Sequence, residues 1–143
     1  MIGETKVLPR YAETDQMGIV HHSVYAIWYE LARTEFLNEI GVRYDELEKN
    51  GIITPLVSLN CEYKKPAYYN QEVTIRTKLI KLTPARFVVE YRVYDKDDVL
   101  LNNGTTTLGW ADKDSFKIIN LKKVKPELYK KLEGFVEAVE EEK

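Results

Sequence analysis

Cysteine, histidine, methionine and tryptophan are scarce in these 143 residues, which hold one, two, two and two of them. The lone cysteine, Cys61, excludes an intramolecular disulfide framework and a Cys-rich zinc site. A reducing, cytoplasmic setting is the simplest expectation. No sign of charge dominates either. Lys and Arg number 21 against 23 Asp and Glu, a net charge of -2, so no basic field exists to hold nucleic acid by counterion release. No apolar run approaches the ~18 residues of a membrane span, and the opening MIGETKVLPR has no apolar signal region, so neither span nor export is expected. No internal repeat or low-complexity tract occurs apart from the charged tail Glu140 to Lys143. What is present is 44% hydrophobic and 11% aromatic, with ten Tyr and four Phe. That suffices for a core and argues against disorder. The length fits one domain, expected over residues 1–143.

The periodicity changes along the chain. Lys6 to Tyr11 reads as a short strand, followed by a polar turn over Glu13 to Gly18. Ser23 to Ile40 reads as a helix, with Ser23 as N-cap and Gly41 where a left-handed C-cap would fall. Two apolar stripes run along it: Val24, Ile27, Trp28 and Leu31, then Tyr25, Tyr29, Ala32, Phe36 and Ile40. A surface helix needs only one such stripe, so this helix should be largely enclosed. Glu30 and Arg33 read as an ion pair on its polar side. Tyr44 to Lys49 reads as a short helix ended by Asn50-Gly51. From there the period is two: Val57 to Lys64, Val73 to Ile80, Phe87 to Tyr94 and Val99 to Ala111 read as half-buried antiparallel strands in a meander. Pro126 could start a final helix, about residues 126–139, whose apolar face is Leu128, Leu132, Phe135, Val136 and Val139. Strands grouped after one helix indicate α+β, a curved antiparallel sheet wrapped around one long central helix.

The chemistry gathers between Tyr11 and Arg33. An acidic loop runs straight into the start of the enclosed helix, where free N–H groups carry partial positive charge and can hold an oxyanion. Asp15 lies just upstream, and Gly18 lets the backbone turn closely. A carboxylate beside an oxyanion-binding helix end suits acyl transfer.

Asp15, Gly18, Ile19-Val20, His21-His22, Tyr25 and Glu30-Leu-Ala-Arg33 resemble the signature of the 4-hydroxybenzoyl-CoA thioesterase-like branch of the hotdog superfamily. His22 together with Glu30 to Glu35 is similar to the Tol-Pal-associated acyl-CoA thioesterase type. A second stretch, Thr54 to Pro66, matches the same branch. The resemblance spans residues 5 to about 120. It implies a hotdog fold and hydrolysis of an acyl-CoA thioester without a cofactor, by a homodimer or homotetramer. Asp15 matches the catalytic carboxylate, either nucleophile or general base. The His22 backbone N–H matches the position that polarises the thioester carbonyl. Gly18 and Tyr25 fall on the substrate pocket. Lys64, Lys65 and Arg86, chosen by charge near strand ends, are the candidates for holding the CoA phosphates.

Other readings weigh less. Glu13 reads as a solvated loop residue. His21 and His22 in an extended chain would point to opposite faces, so no metal site is expected from them. Cys61 alternates with apolar neighbours and reads as a small buried hydrophobe, with no partner base to make it a nucleophile. A hotdog dehydratase is disfavoured because no Pro follows His22 in the helix entry. A non-catalytic acyl-CoA or acyl-carrier-protein binding module of the same fold is the alternative to an enzyme.

Overall fold

The computed structural model describes residues 1–137. In chain order its elements are β1 (Gly3–Val7), a 3-10 turn (Tyr11–Glu13), α1 (Val24–Glu39), α2 (Tyr44–Lys49), β2 (Ile52–Ile53), β3 (Leu56–Tyr63), β4 (Val73–Leu82), β5 (Arg86–Tyr94), β6 (Leu100–Gly109), β7 (Ala111–Asp112), α3 (Leu121–Val124) and α4 (Pro126–Glu133). Five strands form one antiparallel sheet in the order β1-β4-β5-β6-β3, and β2 pairs with β7. β4, β5 and β6 form the expected meander. β3 does not continue it: this strand crosses to the far edge and, among the described residues, pairs only with β6.

Helix α1 is held by the inner face of the sheet. Trp28, Tyr29, Ala32, Phe36 and Leu37 pack with Ile75, Leu79, Val89 and Tyr91 in one buried core. Tyr29 stacks on Tyr91 with ring centroids 4.3 Å apart and planes within 4°. Offset aromatic stacking of this kind adds about 1 kcal/mol to the area buried. This is the hotdog arrangement. The sheet also dictates its glycine: a Cβ at Gly104 would lie 2.2 Å from the Asn60 carbonyl oxygen and 2.7 Å from the Tyr29 hydroxyl. β6 can therefore pass under Tyr29 only with glycine there.

Several expectations change. The first stripe of α1 is enclosed only in part: Val24 and Trp28 are buried, but Ile27 is 63% exposed and Leu31 43%. Arg33, expected on the polar side, is buried instead. β3 keeps its alternation but not its burial; Leu56, Val57, Leu59 and Tyr63 are all exposed. Within one chain nothing described covers that edge. The first strand lies earlier than expected, at Gly3–Val7, because Arg10 and Glu13 close a 3-10 turn where extended chain was anticipated. The last helix starts at Pro126 but ends at Glu133, and a separate short helix, α3, precedes it. Beyond it Val136 makes a parallel bridge to Leu79, and the Glu137 N–H donates to the Leu79 carbonyl at 2.7 Å. Sheet pairing thus wins over helix there. Val139 lies outside the described residues.

Candidate active site

The loop before α1 is a tight, internally bonded turn. The Asp15 carbonyl accepts the Gly18 N–H at 3.0 Å, the Asp15 N–H donates to the Ile19 carbonyl at 2.9 Å, and Asp15 Oδ1 accepts the Met17 N–H at 2.8 Å. Gly18 adopts φ +77°, a left-handed conformation that favours glycine. These bonds hold the Asp15 side chain in one place through one carboxylate oxygen and leave the other without a donor among the described residues.

Glu13 fixes this loop to the helix, a role its sequence context hides. It is 8% exposed. Its Oε2 accepts the Trp28 indole N–H at 3.0 Å, and Oε1 accepts the Arg10 N–H at 2.8 Å and Arg10 Nε at 3.3 Å. Its carbonyl accepts the His21 N–H at 2.8 Å. Burial pushes the Glu13 carboxyl up, but the Arg10 N–H, the Trp28 indole and the Arg10 guanidinium outweigh it and hold the group below its ordinary value. The reading of Glu13 as a solvated residue is therefore corrected. Reach to Trp28, 15 residues away, carries no local sequence signal.

The helix start is open. Ser23 is the N-cap residue, but its side chain does not cap; it lies 2.8 Å from His21 Nδ1. The Ser23 N–H also donates to that nitrogen, at 3.2 Å. The chain turns here instead of running extended, so His21 and His22 do not point apart. Their rings lie against each other, with centroids 4.0 Å apart and planes tilted by 34°. The His22 N–H has no acceptor among the described residues. Its carbonyl is held by the Tyr63 hydroxyl, which donates at 3.2 Å. A free N–H at a helix start is a donor aimed at whatever negative charge enters.

Asp15, His22, Tyr25, Tyr63, Lys64 and Lys65 line one cavity of about 380 Å³. Tyr25 is buried, and burial pushes its hydroxyl up to about 12, so it stays a neutral wall at physiological pH. Lys64 pairs with Glu62 at 2.9 Å, and the Lys64 and Lys65 N–H groups both donate to the Leu101 carbonyl. Gly18 stands apart from this cavity. With Asp15, Tyr11, Thr14, Gln16 and Tyr69 it lines a second, of about 710 Å³, so Asp15 stands between two spaces. Arg86 is not brought to either. It pairs with Gly109 at the other end of β6 from Leu101, roughly 26 Å away along the strand at about 3.3 Å per residue. Cys61 is half-buried and polar in its contacts: its sulfur takes an N–H from Asn102 at 3.2 Å and lies 3.4 Å from the Tyr29 hydroxyl.

Known proteins resemble this chain in sequence and in fold. Residues 9–132 match the family described as the thioesterase-like superfamily. A Bacillus subtilis protein described as "Putative acyl-CoA thioesterase YneP" is 35% identical over 126 residues, 88% of this chain and 91% of that one. Acyl-CoA thioester hydrolase YbgC of Escherichia coli is 28% identical over 102 residues, 71% of this chain and 76% of that one. The crystal structure of a DHNA-CoA thioesterase from Staphylococcus aureus superposes with a TM-score of 0.89 at 34% identity, covering 93% of this chain and 89% of that one. With the family matched over most of its length, this chain belongs to the thioesterase-like superfamily.

Proposed function

We propose that this chain hydrolyses acyl-CoA thioesters to free acid and CoA. One observation carries the reading: the Asp15 carboxylate and the open helix start at His22 face the same cavity. The thioester carbonyl oxygen accepts the His22 N–H, which stabilises the negative charge of the tetrahedral intermediate. One such donor contributes on the order of 3 kcal/mol to the barrier. Asp15 either attacks the carbonyl carbon itself or takes a proton from the attacking water. Attack by Asp15 breaks the carbon–sulfur bond, expels CoA thiolate, which takes a proton from water, and leaves an acyl–Asp15 anhydride that water hydrolyses to the free acid; attack by water breaks the same bond, and the proton that Asp15 took passes to the departing thiolate. Lys64 and Lys65, on the wall of the same cavity, hold the phosphates of the departing CoA.

The acyl group that fits is aromatic. Tyr11 and Tyr69 meet edge to face, centroids 5.9 Å apart, on the wall of the larger cavity beside Asp15. Exposed aromatic faces of this kind take up a flat ring at low entropic cost. The DHNA-CoA thioesterase named above supports the same substrate class. Benzoyl-CoA should be cleaved with a higher kcat/KM than hexanoyl-CoA, and Tyr69→Ala should erase the difference; an aliphatic preference untouched by that substitution would refute the aromatic assignment.

The working unit is a homodimer or homotetramer. β3 presents unpaired backbone and four exposed apolar side chains, an edge that proteins leave open only for pairing. Antiparallel pairing with β3 of a second copy brings the Leu56 end of one strand to the Tyr63 end of the other. That also carries Arg86 of the second copy toward Lys64 and Lys65, where it can join them. Thiol release from a panel of acyl-CoAs tests the whole reading. Binding of these thioesters without turnover of any would favour a non-catalytic binding module instead.

A further inference from the structure

A line of polar side chains links the core to the start of α1. Asn102, on β6, is fully buried, and a buried amide is costly unless it is bonded. Its Oδ1 accepts the Tyr29 hydroxyl, and its Nδ2 donates to the Cys61 sulfur at 3.2 Å. Asn102 stands directly opposite Tyr63 in the β3–β6 ladder, and Cys61 lies on the same face of β3 as Tyr63. The Cys61 sulfur bonds the Tyr63 hydroxyl, and that bond, more than burial, pushes the Tyr63 pKa up to about 12. Tyr63 therefore keeps its proton at physiological pH and donates it to the His22 carbonyl at 3.2 Å. The Cys61 sulfur takes an N–H from Asn102, so its own S–H serves the Tyr63 oxygen. The donors run in one direction, from Tyr29 through Asn102, Cys61 and Tyr63 to His22.

This line ends where the oxyanion donor is set. His22 joins two peptide planes. In the first, the His21 carbonyl accepts the Val24 N–H at 3.0 Å, and a trans peptide then points the His22 N–H the opposite way. In the second, the His22 carbonyl takes the Tyr63 hydroxyl, and the Ser23 N–H donates to His21 Nδ1 at 3.2 Å. The Tyr63 ring is seated apart from its hydroxyl, edge-on to Tyr25 with centroids 5.5 Å apart. Apolar side chains of similar shape would fill this part of the core with no polar group to desolvate. A directed polar chain in their place fixes a backbone group instead.

We infer that Tyr63 is a positioning residue, its hydroxyl set by Cys61 and Asn102, that holds His22 in the backbone conformation aiming its N–H at the thioester carbonyl. The inference rests on the hydrolysis proposed above. Tyr63 acts through the His22 backbone and not on the reacting atoms, so it governs turnover and not substrate affinity.

The test joins kinetics on the acyl-CoA that the chain cleaves fastest with NMR of the labelled full chain. Tyr63→Phe keeps the ring against Tyr25 and removes the hydroxyl. It should lower kcat about fivefold or more, leave KM within about twofold and move the His22 13C′ resonance. Cys61→Ala should lower kcat about threefold, and Cys61→Ser, which keeps a donor and an acceptor, should restore most of that loss. In the Tyr63→Phe background Cys61→Ala should change kcat by less than about 1.5-fold, because its route to His22 is already cut. Asn102→Leu should act as Cys61→Ala does, and the Cys61 variants decide the matter if it does not fold. An unchanged kcat in Tyr63→Phe, a loss confined to KM, an unmoved His22 13C′ resonance, or losses that multiply in the double variant would overturn the inference. Failure of the wild type to cleave any thioester would defeat the proposed function instead. The His22 13C′ shifts of the single and double variants then report by themselves whether Cys61 reaches His22 through Tyr63.

Discussion

At its C-terminus helix α1 is closed by its own chain, whereas at its N-terminus it is left open. Gly41, at φ +84°, donates its N–H to the Asn38 carbonyl at 3.0 Å, and Val42 donates to the Leu37 carbonyl at 2.7 Å. That pair of bonds is a Schellman motif and consumes the orphan carbonyls. At the other end the expected cap is absent: Ser23 turns to His21, and the His22 N–H has no acceptor among the described residues. A helix that can afford a complete cap at one end is not short of capping residues at the other. The difference fits the proposed use of the N-terminus for a ligand, with Glu13 and Tyr63 holding the loop around it in place of a cap.

The contrast is broken most severely at His22. His22→Pro removes the free N–H and nothing that it bonds, since proline is tolerated around a helix start. It should lower kcat roughly 10²- to 10³-fold with little change in urea midpoint; full activity would show that the N–H is not the oxyanion donor. Glu13→Gln comes next. It weakens the buried bonds to Trp28 and Arg10 and should cost about 1–3 kcal/mol of stability by urea melts. The pH dependence has a definite sign. The folded Glu13 carboxyl lies below its ordinary value of 4.5, so its contribution is present above that value and lost as pH falls through the folded one. Wild type and Glu13→Gln should differ most near neutrality and converge in acid. Gly41→Ala follows, at about 1 kcal/mol or more for a side chain forced into left-handed backbone, with kcat unchanged. Ser23→Ala should be the smallest, within roughly 0.5 kcal/mol instead of the ~1 kcal/mol of a true cap. A full-sized loss there would erase the contrast between the two ends.

The long helix, its C-cap at Gly41, the short helix ended at Gly51 and the strand periodicity were all legible in the sequence, because local pattern and backbone conformation determine them. Asp15 and His22, singled out together from the sequence, line one cavity. What was not legible depends on long-range choices. β3 keeps the alternation of a half-buried strand while lying at an edge, and no single-chain pattern reveals which strand ends a sheet. Ile27 and Leu31 share an apolar stripe with the buried Val24 and Trp28, yet none of the described residues covers them. Arg33 reads as a surface partner of Glu30, yet Tyr44, Tyr91 and Thr106, from three other elements, make an inward place for it. Glu13 was misread for the same reason, its partner being an indole on the far side of the loop.

The most direct test of the central claim is thiol release from benzoyl-CoA by Asp15→Asn, measured in single turnover alongside wild type. The carboxylate faces the cavity with one oxygen held by the Met17 N–H, and Asn preserves that acceptor while removing the charge. Asp15→Asn should remain folded, still bind CoA and lose at least about 10²-fold in rate. Turnover that survives intact in this variant would contradict the account.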